Sequence, residues 1–166
     1  MKNPVTTELQ GRSPSPVLSL LSRWLPIILW AGVIFLFSAD SNPYSHIPQG
    51  LYHWLWWHKL FGLPLVKYMG GSSHFTEYAI LAFLVARAVI WKAKPTRLLL
   101  FAAFYLTTLY AYSDELHQIL VPHRNFQLQD LGLDALGALL GLGVYWLWRR
   151  KSRLVATTRP PPIPSS

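Results

Sequence analysis

Apolar residues along this chain fall into four long runs. The first covers 18–39, with WLPIILWAGVIFLFSA as its strong part. The second, SSHFTEYAILAFLVARAVIW, covers 72–91, and the third, LLLFAAFYLTTLYAYS, covers 98–113. The fourth, LQDLGLDALGALLGLGVYWLW, covers 128–148. The runs are rich in Leu and Ala and show no ten-residue alternation, so they predict helices and not strands. Crossing a bilayer takes ~20 residues, with ~17 near the lower limit. The third run reaches that length only if its helix continues into DELHQ at 114–118. The expected fold class is an all-α integral membrane protein: four transmembrane helices with an aromatic interfacial loop at the outer face. The expected organisation is a disordered N-terminal tail over 1–17, a four-helix domain over 18–150, and a basic, Pro-rich tail over 151–166.

The first run has a basic lead (Lys2, Arg12, Arg23), as a signal peptide would. A cut after Ala39 would place Phe37 at the −3 position, where a small residue is needed, so an uncleaved span is expected. Within the connection from Asp40 to Gly71, LYHWLWWHKLF sets Trp54, Trp56 and Trp57 around His53, His58 and Lys59. It reads as an aromatic anchor at the membrane interface, with a substrate-facing lid as the alternative.

Composition sharpens this picture. Hydrophobic residues make up 52% and charged residues 13% of the 166, about half the charged fraction of an average soluble domain. There is no Cys, which excludes disulfides and thiolate metal ligands. The net charge of +8 does not point to nucleic acid, because the bases flank the apolar runs in short clusters. Eleven bases fall on one side: Lys2, Arg12 and Arg23, then Lys92, Lys94 and Arg97, then Arg149, Arg150, Lys151, Arg153 and Arg159. The other side has only Lys59, Lys67 and Arg124. Basic residues concentrate on the cytoplasmic side of membrane proteins, so a multi-pass protein of the cytoplasmic membrane with both termini inside is expected. Arg87, near the inner end of the second run, is expected to snorkel to the headgroups.

Ionisable groups beside hydrocarbon are costly and mark candidate sites. At about 100° per residue, Asp130, Asp134, Gly137 and Gly141 fall within a sector of about 60°, a small and polar stripe on a helix otherwise covered by Leu and Ala. The Gly137-x-x-x-Gly141 pair lets another helix approach closely, so the stripe should face protein. His74, Glu77 and Tyr78 share a face of the second run. Tyr110, Asp114, His117 and Gln118 share a face of the third, with Glu115 to one side. Together they predict one shared polar cluster at the outer face, capped by the turn bearing Pro122, His123 and Arg124.

His-Phe-x-Glu-Tyr at 74–78, Asp-Glu-Leu-His-Gln at 114–118, Pro-x-Arg at 122–124, Asp130 and the Gly-x-x-x-Gly pair resemble the pattern of the VanZ-like family. That family takes its name from a teicoplanin-resistance accessory protein of glycopeptide-resistant bacteria. The resemblance covers about residues 20–150 and implies a small multi-span membrane protein, with no settled activity to carry over. This chain has His123 where the family often has Gly, which makes the turn less permissive. It has Asp134 where many members have Asn, which adds a possible charge.

Three roles suit the cluster. As an enzyme, it would use His117, Glu115, Asp114 and Glu77 as candidate catalytic groups, His117 acting as a general base whose tautomer a neighbouring carboxylate fixes. Arg124, His74, Gln118, Asp130 and Asp134 are the candidate ligand-binding groups, Arg124 gripping a phosphate or carboxylate. The i, i+3 pairs His74/Glu77 and Asp114/His117, with Asp130, permit a divalent-ion site, but no metal ligand set is assigned and the cofactor is left open. Gly-x-Ser-x-Gly, His-Glu-x-x-His and phosphate-binding Gly loops are absent from the sequence. As a binding protein, it would hold a cell-envelope component: an anionic lipid headgroup, a lipid-linked precursor or a glycopeptide-type antibiotic, with a possible role in antibiotic resistance. The expected partners are the lipid bilayer and such a ligand, and not nucleic acid. The third role is non-catalytic, an ion-pair network locking the helices together, in which Arg124 pairs with Asp130.

Overall fold

The computed structural model describes residues 15–157, with side chains described as far as Ser152. Residues 1–14 of the tail expected to be disordered over 1–17, and 158–166 of the basic, Pro-rich tail, lie outside the described residues, while Pro16 and Val17 already belong to a helix. Helix α1 runs Pro16–Ser38, followed by a 3-10 turn, Pro43–His46. A short α2 (Gln49–Trp57) leads into a two-stranded hairpin, β1 (Lys59–Leu60) and β2 (Leu63–Pro64). Three long helices follow: α3 (Val66–Val89), α4 (Arg97–Gln118) and α5 (Leu128–Thr157). Apart from the hairpin the described residues are all-helical or turn, so the expected helical class holds.

Local chemistry sets these boundaries. Ser15 caps α1, its hydroxyl accepting from Leu18 N at 3.3 Å, and Pro16 stands where its missing N–H costs nothing. Thr96 caps α4 in the same way, accepting from Leu99 N at 3.3 Å. The α4 helix runs through DELHQ, as the length argument required. Neither Pro nor Gly stands between Trp148 and Thr157, and α5 continues to Thr157, into the segment expected to be the basic tail. The connection between α1 and α3 is more ordered than the expected loop. Phe61 and Gly62 both adopt positive φ (49° and 84°), the backbone of a two-residue hairpin turn whose twist matches the strands.

Helix α3 is the hub, packed by α5, α4 and α1. Its contact with α5 is backbone to backbone. A Cβ on Gly137 would stand 2.2 Å from Phe75 O, and one on Gly141 would stand 2.0 Å from Ala79 O. The expected stripe therefore meets α3. Gly143, on another face, has nothing within 4 Å. The core around this contact is built from small residues and a few large ones, among them Ala82, Ala86, Ala138, Tyr78 and Tyr145.

Two bonds tie α1 to the bundle: Trp30 Nε1 donates to Glu77 O at 2.9 Å, and Tyr110 Oη donates to Ala31 O at 2.7 Å. A third explains Arg87. Pro26 lies inside α1 and has no N–H, so it leaves the carbonyl four residues earlier, Ser22 O, without its helical donor. Arg87 donates to that oxygen at 2.7 Å. Its guanidinium satisfies the backbone acceptor that Pro26 leaves without its helical donor.

Apolar side chains cover much of the outside, and polar ones are enclosed beside the apolar core. Large apolar side chains face outwards on α1 (Ile28, Leu29, Leu36), α4 (Leu98, Phe101, Leu109) and α5 (Leu136, Leu139, Leu147). Inside are His74, Thr107, Asp114, Glu115, Gln118 and Asp134. Two helices, Pro16–Ser38 and Leu128–Ser152, are long and apolar enough to cross a membrane.

Candidate functional site

At one end of the bundle a cavity of about 610 Å3 opens between α3, α4 and the turn after α4, roofed by the segment following α1. Helix α3 contributes Ser73, His74 and Glu77 to its lining, α4 contributes Asp114 and Gln118, and the turn contributes His123, Arg124 and Gln127. The roof adds Asp40, Tyr44 and His46, with His46 Nε2 at 2.9 Å from Asp40 Oδ2. Sequence reasoning missed these roof residues. The only signal was a short polar run, SADSNPYSH, straight after an apolar helix.

Under the cavity lies a buried polar layer. His74 Nδ1 stands 3.1 Å from Asp134 Oδ1, and the other ring nitrogen is 3.9 Å from Asp130 Oδ2. The ring of His74 lies parallel to that of Tyr78, with centroids 6.5 Å apart. Glu115 is fully buried, and its Oε2 accepts from Gln127 N at 2.8 Å. That N–H sits at the start of α5, where the helix dipole favours a carboxylate. One ligand atom each from His74, Glu115 and Asp134 lie within 4.8 Å of one another. Several oxygens in this layer are buried with no hydrogen-bond partner: Asp114 Oδ1, Glu115 Oε1, Asp134 Oδ2 and the Tyr78 hydroxyl. The other Asp114 oxygen has only a long contact, 3.5 Å, from Gln118 Nε2.

The structure thus brings together His74, Glu77, Asp114, Glu115, Gln118, Asp130 and Asp134. Two expected members depart. His117 is turned towards α1, stacked on Phe35 with ring centroids 4.5 Å apart, and does not line the cavity. Its Nδ1 is buried without a partner, and no carboxylate stands beside it to fix a tautomer. The general-base arrangement expected for it is not formed. The cause is angular: Asp114 and Gln118, one helical turn apart, take the inward face, and His117 falls to the α1 side of it.

Arg124 lines the cavity but makes no ion pair with Asp130. Its Nε donates to Asp40 O at 3.1 Å and its Nη2 reaches Phe37 O at 3.5 Å. Phe37 O lies in the last turn of α1, at the negative end of the helix dipole, and Asp40 O lies two residues beyond the helix. The turn that presents Arg124 puts His123 at φ 64°, in the left-handed region. A glycine would adopt this conformation freely, and a side chain there is strained.

The VanZ/LLP1 family model matches residues 23–149. The chain belongs to the VanZ/LLP1 family. No curated protein and no solved structure matches it. The match runs from α1 into α5 and includes every VanZ-pattern residue named above, from His74 on α3 to Gly141 on α5.

Proposed function

We propose that this VanZ-family chain spans the membrane four times with both termini cytoplasmic, and that its outer cavity holds the polar head of a cell-envelope lipid or lipid-linked precursor. The distribution of side chains supports the membrane reading, since apolar ones cover much of the outside while ionisable ones are enclosed. The 24 residues of α3 and 22 of α4 extend ~36 and ~33 Å, enough for a hydrocarbon core of ~30 Å. Orientation follows from charge. Arg23 stacks over Trp91 and Arg149 bonds Ala93 O, which gathers the basic clusters at the end away from the cavity. The exposed Trp54, Trp57 and Phe61 suit an interfacial anchor.

The observation that carries the ligand reading is a cavity lined by ionisable side chains with unused capacity. Glu77 and Asp114 offer acceptors, and Arg124 retains donors beyond its two carbonyl contacts. A headgroup with an amine and a phosphate matches both, the cationic amine towards the carboxylates and the phosphate towards Arg124. A purely anionic head fits less well, because carboxylates outnumber arginines in the lining. The alternative, a helix-locking ion-pair network, is disfavoured by the unpartnered oxygens of Asp114, Glu115 and Asp134 and by the missing Arg124–Asp130 pair.

The test is lipid retention in native mass spectrometry of the detergent-purified protein, offered phosphatidylethanolamine or phosphatidylglycerol. Phosphatidylethanolamine should be retained preferentially, and Asp114→Asn should weaken retention at least tenfold. Equal retention of both lipids by wild type and variant would refute the reading. Protection against a glycopeptide antibiotic belongs to the same proposal and should be lost in the same variant, measured as growth inhibition in a sensitive host.

A further inference from the structure

His74, Glu115 and Asp134 come from three different helices and converge below the cavity, with one ligand atom each within a 4.8 Å span. We propose that they hold a single divalent transition-metal ion, Zn2+ or Mn2+. This goes beyond the headgroup reading and is independent of it.

The geometry is that of a ligand set. Two donor atoms each ~2.1 Å from one ion stand ~3.0–3.4 Å apart for ligand angles between about 90° and 109°. His74 Nδ1 and Asp134 Oδ1 are 3.1 Å apart. The second ring nitrogen of His74 faces Asp130, 3.9 Å from its Oδ2. A carboxylate behind a metal-bound imidazole is the usual means of orienting the ring.

The free oxygens make the same point independently. Glu115 and Asp134 are 0% and 1% exposed, yet Glu115 Oε1 and Asp134 Oδ2 have no hydrogen-bond partner. A buried carboxylate oxygen without donor or cation is costly, so buried charges are paired or coordinate metals. Glu115 has its other oxygen engaged by Gln127 N, whereas the contact of Asp134 Oδ1 with His74 Nδ1 is one that a bound ion would replace, both atoms turning a lone pair to it.

A cation from outside the chain would balance the charge of these carboxylates. Glu77, Asp114 and Asp130 surround the three ligands, and no Lys or Arg forms an ion pair with a carboxylate among the described residues. Arg124, the nearest candidate, is directed to the carbonyls at the end of α1 and just beyond it. One imidazole cannot balance this many acids. A mixed imidazole and carboxylate set favours Zn2+ or Mn2+ over Ca2+ or Mg2+, which take oxygen ligands. Since His74 also lines the cavity, the ion's remaining positions are reached through it.

The test uses the full chain purified in mild detergent. Elemental analysis should find about one equivalent of Zn2+ or Mn2+ per chain. Removing it with EDTA should lower the melting temperature, and one equivalent of Zn2+ or Mn2+, but not Mg2+, should restore it, because an ion that binds only the native state stabilises it. Asp134→Asn and His74→Gln should each bind the ion at least tenfold more weakly and lose the EDTA response. His53→Ala, on the exposed α2, should retain both. A wild type with no ion above the buffer level and no thermal response to Zn2+ or Mn2+ would overturn the proposal. So would metal content unchanged in both Asp134→Asn and His74→Gln. These readouts contain no lipid, so failure here leaves lipid retention untouched, and the reverse also holds.

Discussion

The close approach of α3 and α5 at Gly141 offers a sharp test of the packing. Replacing Gly141 with Ala adds one methyl whose carbon would lie 2.0 Å from Ala79 O, 2.9 Å from Ala79 C and 3.1 Å from Ala79 Cα. Carbon and oxygen in van der Waals contact stand roughly 3.3 Å apart, so α3 and α5 must separate locally by about 1 Å, and a gap of that size forfeits up to half of each dispersion well. All three obstructing atoms are backbone, so no side-chain rotation relieves the clash. Overpacking of this kind costs ~1–3 kcal/mol, and the gain in helix propensity from Gly to Ala returns up to ~1 kcal/mol. The net expectation for Gly141→Ala is a loss of ~1–2 kcal/mol, or ~2–8 °C in melting temperature for a chain of this size. Gly143→Ala is the matched control. With nothing within 4 Å of the new methyl, only the propensity gain remains, and stability should rise slightly. Gly137→Ala should resemble Gly141→Ala and also disturb the site. It lies one turn from Asp134 on the same face, and a methyl there would push on Phe75 O, next to His74. The assay is thermal unfolding in detergent followed by Trp fluorescence. Gly141→Ala unfolding at or above the temperature of Gly143→Ala would refute the close-packed α3–α5 interface.

Other expectations follow from particular contacts. Arg87→Leu should destabilise the wild type by ~1–2 kcal/mol, because it strips the side-chain donor from Ser22 O, but much less in a Pro26→Ala background, where the helix supplies an N–H; strictly additive effects in the double-mutant cycle would sink this account. His123→Gly should leave stability unchanged or raise it by up to ~1 kcal/mol, while the β-branched His123→Val should lower it by ~1–2 kcal/mol, both read by thermal unfolding; a stabilising valine would contradict the left-handed turn. For topology, single cysteines introduced as Ser41→Cys and Asn125→Cys should react with an impermeant thiol reagent on intact cells, and Ser152→Cys should not; labelling of Ser152→Cys alone would reverse the orientation.

The helical class, the continuation of α4 through DELHQ and the facing of the Gly137–Gly141 stripe were all legible in the sequence. The reason is local: helix geometry holds each side chain at a set angle and rise from its neighbours, so residues that share a face can be read from spacing alone. The same spacing marked Asp130 and Asp134 as facing protein, and the close approach required by two glycines did the rest. Which partner each face meets is a different matter. It depends on how the helices rotate against one another and where the connecting turns run, and neither leaves a periodic signal. Arg124 looked like the partner of Asp130, but the turn after α4 carries it to Asp40 O, just beyond α1. Arg87 looked like a snorkelling base, and packing sets it against the carbonyl that Pro26 leaves without its helical donor. His117 belongs to the right motif, yet a rotation that aims Asp114 and Gln118 inwards leaves it stacked on Phe35. Glu115, placed to one side by its helical angle, becomes one of the most buried groups because α5 starts directly against it. Spacing along the chain decided which residues travel together, and only the packing of α1, α3, α4 and α5 decided which charges meet, because those contacts join residues dozens of positions apart.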